Sequence, residues 1–203
     1  MCPYGLEVCP GLPQYQYSAN PSGLTGSQCE PTSFPKLLTT SISSPVLIPI
    51  ISYDLYRLET IDGMTAIEAS GMLGNAFTES AHTFSPSQWQ LGENPPCSWH
   101  VHNGLCGIGI FQFTYGGKYD LWGPLSHFAK LHGESPLTTN AQLDFVVYQL
   151  KTEGYLGLAQ LQRSTTPEEA AAVFEQYYER PSSLSDISAR EAYTVYIYQH
   201  FRN

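Results

Sequence analysis

One helix in this sequence has both its beginning and its end written out, and it constrains the fold more than any other feature. Thr65-Ala-Ile-Glu68 is a capping box: the Thr65 hydroxyl accepts from the amide three residues on, and the Glu68 side chain reaches back to the Thr65 amide. Ala66, Ala69, Leu73, Ala76 and Phe77 then follow at helical spacing, small and apolar, until the pattern stops at Glu79-Ser80. A face of this kind has to be buried, so the rest of the chain must supply partners for it.

Several segments can do so. Before the capping box, Ile48, Ile51, Leu55 and Leu58 fall at helical spacing within Val46–Leu58, with Pro49 in the first turn, where it is tolerated. After it, residues 84–114 change character: Pro, Gly, aromatics and short apolar runs replace the helical period. Ile108–Phe113 alternates as a short strand does. Past Gly116-Gly117 the pattern is helical again, with an apolar stripe of Leu143, Val146, Val147 and Leu150. Thr166-Pro167-Glu168-Glu169 is a second capping box, with Pro at the first helical position. Val173, Phe174 and Tyr177 line the helix that follows, and Ser188-Ala-Arg-Glu191 opens a last one rich in Tyr. The expected fold is α+β and mainly α, several helices with a small β-hairpin lobe beside a cleft.

Residues 1–45 are rich in Pro, Gly, Ser and Thr and nearly uncharged, and read as an irregular arm or linker. That leaves residues 46–203 as the folded domain. At 203 residues and 42% hydrophobic the chain is long and apolar enough for a real core. The balance of 18 Asp+Glu against 9 Lys+Arg, with no basic run, argues against nucleic-acid binding. The longest apolar run, Pro45–Ile51, falls far short of the ~20 residues a membrane helix needs. The N-terminus shows neither the basic nor the apolar region of a signal peptide, so a product acting outside its cell would need another route, such as host lysis or delivery in a particle.

Of five cysteines, three sit within the first 29 residues, and none has the setting of a nucleophile. Cys97 and Cys106 flank His100 and His102, and two Cys with two His are ligand types that a zinc site uses, although the spacing is not a usual one. A disulfide closing a hairpin around Asn103-Gly104 is the simpler reading, with free thiols as the third.

Glu79 is the residue whose position suggests chemistry. Cleaving a glycosidic bond takes a carboxylic acid held beside an apolar wall, and Glu79 ends a small-residue helix next to the aromatic-rich segment. A solvated glutamate at a helix end is the plain alternative. The motifs go further. Gly74-Asn75-Ala-Phe-Thr-Glu79-Ser80, followed by Gly109-Ile110-Phe111-Gln112-Phe113-Thr114, resembles the signature of the phage tail lysozyme family, within the lysozyme-like superfamily. Gln142-Leu143-Asp144-Phe145 and Tyr178-Glu179-Arg180-Pro181 stand where that family has similar segments, so the likeness spans about Ala66–Phe201.

The resemblance implies a peptidoglycan glycosidase, a muramidase or a lytic transglycosylase, acting on the β-1,4 link between N-acetylmuramic acid and N-acetylglucosamine. Glu79 would be its general acid, and Gln112, Thr114, Ser80 and Tyr178 would contact sugar. Tyr177 and Tyr178 serve equally well as core, and Asp144 reads as structural. Trp89 or Trp99 offers a stacking face or a core anchor. Glu93, Asp120 and Glu179 are the candidates for a second carboxylate. The resemblance further implies no cofactor or metal, a glycan strand as partner together with phage tail or other virion proteins, and a place in the virion or at the cell wall or periplasm, as an endolysin or a wall-drilling enzyme. A lysozyme-like module that only binds wall sugar or tail proteins is the alternative.

Overall fold

The computed structural model describes residues 42–93, 96–101, 103–180 and 187–201. Most of the expected arm, residues 1–41, lies outside them; Ile42, near its C-terminal end, is fully buried. Seven helices are present among the described residues: α1 (Leu47–Thr60), α2 (Ala66–Glu79), α3 (Trp122–Leu131), α4 (Thr139–Thr152), α5 (Leu158–Leu161), α6 (Pro167–Phe174) and α7 (Ile187–His200). Two antiparallel strands, β1 (Asn103–Ile108) and β2 (Phe113–Gly116), lie between α2 and α3. The fold is thus mainly helical with a small sheet, the α+β arrangement expected from the sequence.

The central element is α2. Its capping box forms as written, with Glu68 N donating to Thr65 Oγ1 at 3.3 Å and Thr65 N to Glu68 Oε2 at 3.4 Å. Every residue from Glu68 to Phe77 is buried, because α7, α6 and α1 pack around it. Two glycines set how closely they approach. A Cβ on Gly71 would stand 2.7 Å from Ala170 Cβ of α6, and one on Gly74 would stand 1.9 Å from Thr194 Oγ1 and 2.8 Å from Thr194 N of α7.

On the other side, α4 buries Leu143, Val146, Val147 and Leu150 as its pattern requires. The Arg57 guanidinium of α1 forks onto Asp144 of α4, with Nε–Oδ1 at 3.0 Å and Nη2–Oδ1 at 2.6 Å, so Asp144 ties two helices together.

The β lobe departs from the sequence reading in two places. Ile108–Phe113 is not one strand: Ile108 pairs with Phe113, and residues 109–112 form the hairpin turn between them. Gly109 at φ +92° and Gln112 at φ +49° make that reversal, and alternation over six residues concealed it. Asn103-Gly104 opens β1 instead of turning a hairpin, and the register slips by a bulge before Cys106, where Gly104 takes φ +77°. Cys97 and Cys106 are joined in a disulfide with Cα atoms 5.6 Å apart. His102 lies outside the described residues.

Two smaller differences lie near the C-terminus. Thr166 caps α6 by accepting from Glu169 N at 3.2 Å, but Glu169 reaches back to the amide and hydroxyl of Thr165, not of Thr166. After Phe174 the helix does not continue as α: Glu175–Glu179 is a π turn, closed by Arg180 at φ +48°.

Replacing Gly74 by Ala forces α7 away from α2 against backbone as well as side chain. The expected loss is about 1–3 kcal/mol, read from urea unfolding; an unchanged midpoint would contradict the close approach.

Asp54, on the buried face of α1, is 1% exposed. Burial pushes its carboxyl up to about 7 from 3.8, against the weaker pull of Arg57. The native state therefore keeps a proton that the unfolded chain gives up. This contribution to stability is complete below about pH 4 and is lost as pH rises through about 7. Asp54→Asn should gain on wild type by on the order of 3 kcal/mol between pH 4 and pH 7.5. A difference that does not vary with pH would rule this out.

Candidate functional site

Glu79 is the last residue of α2, and the chain reverses directly after it. Ala81, His82 and Phe84 all take left-handed φ, at 51°, 66° and 51°, a costly run for residues that carry a Cβ. Ser80 and an aromatic cluster hold the reversal in place. Ser80 Oγ donates to Phe77 O at 3.3 Å and accepts from Phe84 N at 3.0 Å, while its residue is fully buried. The His82 ring packs on Phe77 and Tyr193, with centroids at 5.0 and 5.1 Å, and Phe84 stacks on Phe77 at 5.4 Å. The reversed chain, residues 88–91, then runs beside the β lobe, where Trp89 bridges to Ile108.

Between this segment and the end of α2 is a hollow of about 260 Å³. Thr78, Glu79 and Ala81 form one side and Gln88, Trp89, Gln90 and Leu91 the other; Gln112 and Arg190 complete it. Glu79 is its one carboxyl among the described residues. The same strip of Gln88 to Leu91 also lines a second hollow of about 460 Å³, bounded beyond it by Ser85, Ser87, Gly92, Glu93, Pro96 and Cys97. Trp89 meets Trp99 and Tyr115 edge to face at 4.8 and 5.5 Å, so the strip has an aromatic backing.

The neighbour of Glu79 that the sequence did not announce is Arg190. Its guanidinium Nη2 donates to Glu79 Oε1, Nη1 donates to Asn75 Oδ1 at 2.9 Å, and Nε faces Glu175 Oε1 at 3.6 Å. Arg190, Asn75 and Glu175 are 4%, 0% and 1% exposed. Glu179, one π turn beyond Glu175, belongs to the same charged group. Burial pushes its carboxyl well above the usual range, the nearby Glu79 charge adds to this, and Arg190 acts against it.

The residues picked from the sequence fall into three groups. Glu79 and Gln112 face the hollow together. Gln112 is pinned by its own amide, which donates to Gly109 O at 2.8 Å and Gln88 O at 3.2 Å. Thr114 is half-buried on β2, where its carbonyl accepts from Leu121 N at 2.9 Å, and it does not line the hollow. Ser80 is sealed beneath the reversal. Tyr178 stacks on Phe174 at 4.8 Å, its hydroxyl donates to Gln149 Oε1 at 2.7 Å, and it does not line the hollow.

Of the candidate second carboxylates, Asp120 accepts from Gly116 N and Gly123 N at 2.8 and 3.1 Å and so shapes the turn before α3. Glu93 accepts from Gln90 Nε2 at 3.0 Å at the far hollow. Glu179 belongs to the buried cluster around Arg190 and does not line the hollow.

Gln142 is fully buried and joins three segments. Its Oε1 accepts from Ile110 N at 2.8 Å, and its Nε2 donates to Pro86 O at 2.7 Å and Pro136 O at 2.9 Å. It thereby fixes the hairpin turn that carries Gln112 against the chain that carries Gln88. The four sequence segments singled out at the start thus hold Glu79 with its buried neighbour Ser80, the hairpin turn, the glutamine that pins the turn, and Glu179 of the charged group around Arg190.

The profile of the phage tail lysozyme family matches residues 54–201. The chain belongs to that family. A lysozyme-like, peptidoglycan-degrading role follows from membership, with the virion or the cell wall as its place of action. No curated protein matches the sequence. No helix among the described residues is long and apolar enough to cross a membrane. Nor do three metal-ligating side chains converge among them.

In this family member Gln142→Ala should free the hairpin turn without disturbing α2. Amide exchange at Ile110 is expected to accelerate at least tenfold while amides within α2 keep their protection. Uniform acceleration, or none, would show that Gln142 does not hold the turn.

Proposed function

We propose that the chain is a glycosidase of peptidoglycan, cleaving the β-1,4 link between N-acetylmuramic acid and N-acetylglucosamine with Glu79 as general acid. The observation that carries this reading is the hollow at the end of α2, with Glu79 as its one carboxyl among the described residues and amide side chains and the Trp89 ring lining it. Sugar recognition needs such a lining: amides exchange hydrogen bonds with hydroxyl and acetamido groups, and an aromatic face covers a pyranose ring. Gln112 and Gln88 supply the amides and Trp89 the face. Ser80 supports the acid from beneath, Tyr178 supports the core beside it, and Thr114 borders the lobe.

The glycosidic oxygen takes the proton of Glu79 as the C1–O bond breaks, and the electron pair of that bond stays with the leaving sugar. The positive charge left on the ring is met by water, or by a hydroxyl of the same sugar, and the proton released in that step returns to the Glu79 carboxylate. Water gives a reducing end and an intramolecular hydroxyl gives an anhydro sugar. The acetamido group of the substrate takes the part of a second carboxylate, in keeping with the structural duties of Asp120 and Glu93. Acting as an endolysin or as a tail-borne enzyme, the domain would have phage tail or other virion proteins as partners.

The test is Glu79→Gln against wild type on purified peptidoglycan, with mass spectrometry of the released fragments. Wild type should release muropeptides, and the folded variant should be slower by at least ~100-fold. Equal cutting by both would remove Glu79 from the mechanism. Binding without cutting by both would make the chain a wall-binding module.

A further inference from the structure

A carboxyl that donates a proton has two oxygens, and only the one that carries the proton is useful. In this molecule the two oxygens of Glu79 are not equivalent. Oε1 accepts from Arg190 Nη2, whereas Oε2 has no hydrogen-bond partner among the described residues and belongs to a side chain that borders the hollow. An arginine donates and has no acceptor site, so it can neither take the proton of Glu79 nor tolerate one on the oxygen it holds.

We infer that Arg190 is a positioning residue for proton donation: by occupying Oε1 it confines the transferable proton to Oε2, the oxygen left to the hollow. This rests on the proposed role of Glu79 and adds to it the group that orients the acid.

The chain of contacts behind Arg190 gives this inference its geometric force. Asn75 Nδ2 donates to Gly71 O at 2.8 Å and to Ala171 O at 3.1 Å, which fixes the amide so that Oδ1 must point the other way, at Arg190. Nη1 is thereby held at 2.9 Å, Nε lies 3.6 Å from Glu175, and the planar fork leaves Nη2 a single direction, onto Glu79. The charged and titratable groups around the fork are Glu79 on α2, Glu175 and Glu179 on the π turn, and Arg190 with Glu191 on α7. Asn75 and Glu79 are one helical turn apart on α2, so both reach the same guanidinium. Arg190 and Thr194 are likewise one turn apart on α7, and Thr194 is the residue that packs on Gly74. A glycine beside Asn75 is therefore what lets α7 come near enough for Arg190 to reach both side chains.

The step stays balanced with Arg190 as a spectator. The Oε2–H bond breaks as the glycosidic oxygen gains the proton, and the carboxylate formed is met at Oε1 by a cation already in place. No proton is exchanged with the guanidinium.

The experiment measures kcat and KM on soluble, uncross-linked glycan strands for wild type, Arg190→Lys, Arg190→Gln and Glu79→Gln, each corrected for its folded fraction. Lysine keeps the charge, and with it the neutralisation of the buried carboxylates, but it cannot fork between Asn75 and Glu79. Arg190→Lys should lose about 10-fold or more in kcat with KM within about 3-fold, and Arg190→Gln should lose about 100-fold or more. Arg190→Lys with wild-type kcat overturns the inference, as does a loss confined to KM, and both stand whether or not the glutamine variant folds. A dead Glu79→Gln beside an active Arg190→Lys would sink this inference alone; an active Glu79→Gln would sink the proposed function.

Discussion

The contact between α2 and α7 is the one on which the site depends. Gly74 removes a Cβ where one would stand 1.9 Å from Thr194 Oγ1, and Gly71 does the same against Ala170 of α6. Neither glycine is at a turn; both lie inside a fourteen-residue helix, where each costs about 1 kcal/mol of intrinsic helix stability relative to alanine. Close packing offsets that cost, since every residue from Glu68 to Phe77 is buried. The same closeness places a guanidinium within reach of Asn75 and Glu79 from a helix more than a hundred residues further along the chain.

The second requirement is that the chain leave α2 sharply enough to form the far wall of the hollow. Three left-handed non-glycine residues within four positions achieve this. Ser80 and the cluster of Phe77, His82, Phe84 and Tyr193 hold them there. Gln142 performs the corresponding task for the β lobe, joining the hairpin turn to the segment before residue 88 and to the loop before α4. Glu79, the wall and the amide at Gln112 thus come from three separate parts of the chain, each fixed by hydrogen bonds.

Much of this was legible in the sequence. Caps and periodicity placed α1, α2 and α4, because these helices are governed by local chemistry: Thr65 and Glu68 are three residues apart, and the stripe of Leu143 to Leu150 lies within two turns. The disulfide was the simplest of three readings for two cysteines nine residues apart. The turn at 109–112 was not legible, since apolar alternation from Ile108 to Phe113 is equally consistent with one strand or with two strand ends and a tight turn between them. The π turn was hidden for a similar reason: Val173, Phe174 and Tyr177 have the spacing of an α-helix, and nothing local marks the added residue. Arg190 was beyond reach altogether. Read locally it is one residue of a helix opening, and its partners lie 115 and 111 positions away. The motif around Glu79 was visible in the sequence, while the guanidinium that donates to it appears only once α7 is laid across Gly74.

The most direct test of the account is a structure of the Glu79→Gln variant with a bound peptidoglycan tetrasaccharide. The account predicts that the glycan lies along residues 88–91, with a glycosidic oxygen about 3 Å from the side chain at position 79 and on the side away from Arg190. A glycan bound in the hollow with its linkage turned toward the β lobe, or bound elsewhere on the molecule, would contradict it.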